Sequence, residues 1–167
     1  MNVFFTNECP IQAANEHCYV HQVKMIVEYA QLLSTAHHVV DGDNAIDGIY
    51  KQTHTNHPSA VWVRKSADHY EWLWECATQL CELYKQRTGK THATQDKLWL
   101  LQSAPAGLDY NGFTKPPVAA PDEFKAIVVF GDVCKAYQKY LVSKFAEWQS
   151  REKPMKVEFD NVPAWCV

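Results

Sequence analysis

The sequence lacks any apolar run near the roughly 18 residues that a bilayer span needs, because Lys, Glu or Gln interrupts its greasiest stretches every few positions. No membrane span is expected. The opening MNVFFTNECP has neither a basic leader nor a long apolar stretch, so no secretion signal is read and a cytoplasmic location is expected. Six cysteines (Cys9, Cys18, Cys76, Cys81, Cys134 and Cys166) form no CxxC pair, which suits reduced core thiols better than a disulfide framework. GxGxxG, GxxxxGKS/T and GxSxG are missing, so dinucleotide-binding, P-loop and hydrolase-elbow chemistry have no support. Positive charge is also short: 16 basic residues against 19 acidic ones give a net charge of -3, which argues against a broadly basic nucleic-acid surface.

What the chain does have is hydrophobic and aromatic side chains, 47% and 13% of its 167 residues, enough for one core. The expected fold is mainly α: a compact single-domain helical bundle over residues 1–167, with three long or medium helices. MNVFFT reads as a short N-terminal strand, followed by Asn7 or Thr6 as a cap and Pro10 in a first helical turn. Glu16 to His38 carries strong helix formers without Gly or Pro. Ser66 caps a second long helix whose stripe is Tyr70, Leu73, Ala77, Leu80 and Tyr84, ended by Gly89. Thr94 opens a short helix through Leu101, and Asp132 opens a last long one to about Trp148. Between them, Pro105, Pro116, Pro117 and Pro121 mark a long irregular connection. A polar tail follows from about residue 150, where Trp165 is large enough to dock the end on the body.

On a helical wheel at 100° per residue, His17, His21, Lys24, Glu28 and Gln31 share a sector of roughly 80°. Val20, Val23, Met25, Ile26, Val27, Tyr29, Ala30, Leu32 and Leu33 fill nearly all the rest, Gln22 excepted. Such a polar line is too narrow for a peripheral helix facing water. An amine, a carboxylate, two imidazoles and an amide at i, i+3 and i+4 spacing are the parts of an acid/base or nucleophilic cleft. A plainer reading is a central helix showing one thin seam to solvent, with Lys24 and Glu28 as an ion pair.

The segment THTNHPSAVWVR adds His54, Asn56, His57, Trp62 and Arg64, a combination suited to phosphate and base recognition. Pro58 biases His57 toward extended backbone and opens a helical turn. Lys144 lies on the apolar stripe of the last helix, while Lys90 and His92 follow the second helix. Tyr70, with Trp62 and Trp74, would line a base pocket. His17 and His21 have a spacing that zinc ligands use, but HExxH is absent and no metal or other cofactor is assigned.

The runs HQVKMIVEYAQLLSTAHH, THTNHPSAVWVR, YEWLWECATQLCELYKQRTGKTH, GFTKPP and PDEFK resemble a group of small phage-type proteins described as pyrimidine-dimer DNA glycosylases. These are similar to the compact helical glycosylase-lyase of the endonuclease V type. The resemblance covers roughly residues 12–145 and implies a DNA glycosylase, working in host cytoplasm if phage-encoded. It places a helix histidine and a glutamate seven residues later in substrate contact and catalysis, a spacing matched by His21 and Glu28. The family's nucleophile is an amine at the very start of the chain. Here no early Thr is placed equivalently, so that role is not carried over.

Physical reasoning offers Lys24 instead: a desolvated amine one turn before Glu28 would attack C1′ while Glu28 handles protons. Gln31, His54, Asn56, His57, Trp62, Arg64, Tyr70, Lys90, His92 and Lys144 then complete the substrate-binding set. Two other readings stay open. One is an enzyme acting on a free nucleotide or nucleotide-sugar through the same cleft, with Arg64 and Lys144 on phosphate. The other is a non-enzymatic protein that binds a host protein partner, such as an inhibitor of host defence, through its aromatic surface.

Overall fold

A computed structural model describes the backbone of residues 1–167 and all side chains except those of 129 and 130. It is all-helical, as the periodicities require. Seven α-helices run in order: α1 (Pro10–Asn15), α2 (Tyr19–Val40), α3 (Pro58–Val63), α4 (Ala67–Thr88), α5 (Gln95–Leu100), α6 (Asp122–Lys125) and α7 (Val133–Gln149). No described helix is long and apolar enough to cross a membrane.

Local chemistry sets the boundaries. The Ser66 hydroxyl accepts from the Asp68 amide at the start of α4, and Gly89 ends the helix at φ 69°, where a β-carbon is disfavoured. Asp132 accepts from the Lys135 amide at 2.8 Å to open α7. Pro58 opens α3, and the His57 ring supplies its cap by accepting from the Ser59 amide at 3.2 Å. Thr94 starts α5 without a side-chain cap, and α1 is preceded by Cys9 rather than by Asn7 or Thr6. The Pro-rich stretch before α6 is irregular throughout.

The core lies between α2 and α4, which are antiparallel: Arg87 of α4 meets Gln22 near the start of α2, and Tyr70 meets His37 near its end. Helix α7 covers another side of α2, bringing Phe145 and Trp148 against His21. The tail returns as expected, with Trp165 Nε1 donating to Glu16 at 2.9 Å. Cys18, Cys76 and Cys81 are buried, and all six cysteines are free thiols.

The expected N-terminal strand is absent. Residues 1–5 form an irregular thread through the core, with Val3, Phe4 and Phe5 buried. Side chains supply the partners that a sheet would have given. The Phe4 amide donates to the Tyr29 hydroxyl at 3.1 Å, and that hydroxyl lies 3.0 Å from His17 Nε2. His17 Nδ1 is 2.7 Å from the Ala13 carbonyl, so it carries the ring proton and Nε2 accepts from Tyr29. Asn2 is held by Ala119 O and the Tyr137 hydroxyl, each at 2.8 Å. Removing the Tyr29 hydroxyl should leave two buried groups unpaired, at ~1–3 kcal/mol each. Tyr29→Phe is therefore expected to lower the urea midpoint clearly, and an unchanged midpoint would show that the thread is anchored elsewhere.

Candidate active site

The thread delivers the start of the chain to the middle of α2. The Met1 α-amine sits 3.8 Å from one Glu28 carboxylate oxygen, and Lys24 Nζ lies 3.3 Å from the other. The side chains of Met1 and Glu28 are 4% and 15% exposed, whereas that of Lys24 is 62% exposed. One carboxylate thus faces two amines of different environment. The desolvation expected of Lys24 is not found, because its position on α2 points the long stem outward and nothing covers it. The second amine held against Glu28 is that of Met1, whose side chain packs against the core.

These groups line a chamber of about 200 Å³ whose walls also include His21, Tyr140 and Lys144. His21 is 2% exposed and wedged among Phe4, Phe145 and Trp148, with ring centroids 4.7, 5.7 and 5.1 Å away. Its Nδ1 has no hydrogen-bond partner. Burial first, then the charges of His17, Lys144 and Lys24, lower its pKa to about 2, so the imidazole is neutral at ordinary pH. Its ring forms a neutral part of the chamber wall and is not an imidazolium proton donor at ordinary pH.

Ala119 and Tyr140 also border a larger groove of about 720 Å³, which continues past His57, Pro58, Pro117, Pro121 and Val128. Because His57 Nδ1 accepts from Ser59, a neutral His57 carries its proton on Nε2. Burial, followed by the charges of the chain's first amine and of His54, lowers the His57 pKa, while Glu28 opposes them. The histidine is therefore within electrostatic reach of the amine and carboxylate pair. His54 shapes this loop: its φ of 48° is unusual for a residue with a β-carbon, and its carbonyl accepts from the His57 amide at 2.9 Å.

His21, Lys24, Glu28 and Lys144 are thus brought together, with His57 beside them. Other proposed contacts fall elsewhere. The Arg64 guanidinium donates to the Thr55 carbonyl at 2.7 Å and ties down the loop. Trp62 is a core residue, stacked on His69 at 4.6 Å with its indole N–H on Thr114 O. Tyr70 is fully buried and donates to Leu101 O at 2.8 Å. The sequence reads both as base-pocket walls because aromatic stripes look alike whether they line a core or a ligand site. Trp74 borders a separate apolar pocket of about 140 Å³ with Trp99 and Leu98.

Lys90 is exposed beyond the end of α4, and half-buried His92 accepts from the Thr94 amide at 3.2 Å. His54 and Asn56 are exposed on the loop, and Gln31 is half-buried; none of the three lines the chamber or the groove. Sequence reasoning missed Met1, Asn2 and Tyr140. Tyr140 was legible on the α7 stripe, but its direction was not. Among the described residues, no group of three His, Cys, Asp or Glu side chains is placed to hold a metal ion. No family model, curated protein or solved structure matches the chain.

Proposed function

We propose that the protein is a DNA glycosylase in which the Met1 α-amine is the nucleophile and Glu28 its proton partner. The observation that carries the reading is the 3.8 Å approach of that amine to Glu28 in a polar chamber. The Met1 amine is fixed by the packed thread behind it, whereas Lys24 reaches Glu28 on a side chain that is 62% exposed.

In the reaction, that lone pair forms a bond to C1′ of a deoxynucleotide. The N-glycosidic bond breaks, and its electron pair leaves with the base, which takes up a proton from water. Glu28 accepts the proton shed by the amine and returns it to O4′ as the sugar ring opens, leaving an iminium between C1′ and the amine. Lys24 and Lys144 stand at the walls where phosphates flanking the reacting sugar would pass. The tautomer of His57 presents an N–H to the groove, where the departing base has acceptor atoms.

Borohydride converts such an iminium into a stable amine. Trapping on DNA carrying uracil, abasic sites or ultraviolet photoproducts is expected to give a covalent adduct, and peptide mass mapping should place it on Met1. Lys24→Ala should still trap, whereas a glycine inserted ahead of Met1 should reduce trapping by ~100-fold or more, because a small misplacement of the nucleophile has that cost. No adduct on any of these substrates would refute the reading. An adduct mapped to Lys24 would move the nucleophile there.

The net charge of -3 favours a second reading, an enzyme acting on a free nucleotide. Stabilisation by a nucleoside monophosphate, with no response to DNA, would select it.

A further inference from the structure

The cations around the chamber are few, and their number bears on the form of nucleic acid the site takes. Three ammonium groups border it, those of Met1, Lys24 and Lys144, against the single carboxylate of Glu28. The local surplus is two positive charges in a chain whose net charge is -3. Lys144 Nζ rests 5.6 and 5.5 Å from the Tyr140 and Trp148 ring centres, and no carboxylate lies within 4.0 Å of it among the described residues. Glu147, one turn away on the same helix, is held by Arg151 at 2.8 and 3.0 Å.

The neighbouring groove adds little charge. Its lysine, Lys125, is paired with Asp122 at 2.8 Å, and the rest of its wall is mostly proline, alanine, valine and the Tyr140 ring. Arg64, which could have extended a phosphate track, is turned into its own loop.

A duplex presents two close rows of phosphates and is gripped by many cations. Unstacked bases instead need apolar and aromatic walls beside a modest positive groove. From this contrast we infer that the site takes single-stranded DNA or an already opened strand, holding about two phosphates with Lys24 and Lys144 while one base enters the groove beside Tyr140. This rests on the glycosylase reading and specifies its substrate class.

The test is fluorescence anisotropy with a labelled single-stranded oligonucleotide and with the same strand annealed to its complement, at salt from about 50 to about 200 mM. The single strand should bind at least ~10-fold more tightly than the duplex. Its log K should fall with log salt at a slope of about -1.4, from two phosphates at about -0.7 each. Lys24→Ala combined with Lys144→Ala should bring the slope near zero, and Lys24→Arg with Lys144→Arg should restore it. Tight duplex binding, a steeper slope that ignores both lysines, or no binding to either probe would each overturn the inference. Expected binding without a borohydride adduct would sink the glycosylase chemistry alone; an adduct formed preferentially on duplex would sink the single-strand assignment alone.

Discussion

Lowering the pH from 6.5 toward 4.5 should unfold the protein, because two histidines on one side of the core resist protonation. Burial lowers the His17 pKa from 6.5 to about 4, with its hydrogen bond to Ala13 opposing the shift. Burial and the charges of His17, Lys144 and Lys24 take His21 to about 2. A histidine whose folded pKa is depressed binds fewer protons folded than unfolded within the gap, so stability rises with pH there. The contribution is intact above 6.5 and is lost as pH falls toward the folded value.

At pH 4.5, about two units below the unfolded value, each histidine opposes folding by roughly 3 kcal/mol or a little less. Together they come to about 5 kcal/mol, the lower end of the stability of an ordinary domain. His37, His57, His69 and His92 are lowered by burial as well and act in the same direction. Thermal denaturation followed by circular dichroism should show a steep loss of Tm below about pH 6. His21→Leu should flatten that slope. A melting temperature unchanged between neutral pH and 4.5 would contradict the buried, neutral state of both rings.

The acid sensitivity and the site come from the same thread of chain, and this explains what could be read in advance. The helices were legible because burying one face imposes a 3.6-residue period on the sequence, and because Ser66, Gly89 and Asp132 act through contacts within a few residues. The narrow polar line on α2 was legible for the same reason, and Glu28 and His21 do border one chamber.

Residues 1–5 were not legible, since their short apolar run suits a strand as well as an irregular core segment. The choice was made by partners far away in sequence: Tyr29 for Phe4, and Ala119 and Tyr137 for Asn2. Those contacts bring the Met1 amine to Glu28, and no local pattern encodes them. Trp62 and Tyr70 failed for the opposite reason. Their rings, which read as walls of a base pocket, lie in the core, and their polar tips are satisfied by the carbonyls of Thr114 and Leu101.

Glu28→Gln should separate binding from chemistry more sharply than any other single change. The amide keeps the shape of the side chain but accepts no proton, and it removes the only carboxylate bordering the chamber among the described residues. Loss of a positioned proton-transfer group costs ~10²–10⁴-fold in rate, so borohydride trapping should slow by that factor. Binding should move the other way. The local surplus rises from two positive charges to three, and single-stranded DNA should bind more tightly at low salt, with the salt slope steeper by about 0.7. Stability should change modestly, because Lys24 is exposed and its pairing with Glu28 is an i, i+4 contact worth ~0.2–0.5 kcal/mol on a helix surface. A variant that traps as fast as the parent would remove Glu28 from the reaction. One that loses binding and trapping together would mean that the carboxylate positions the amine and thread instead of moving protons. Adding Lys24→Ala to Glu28→Gln tests the charge argument again: binding should return to about the parent level, while trapping stays slow.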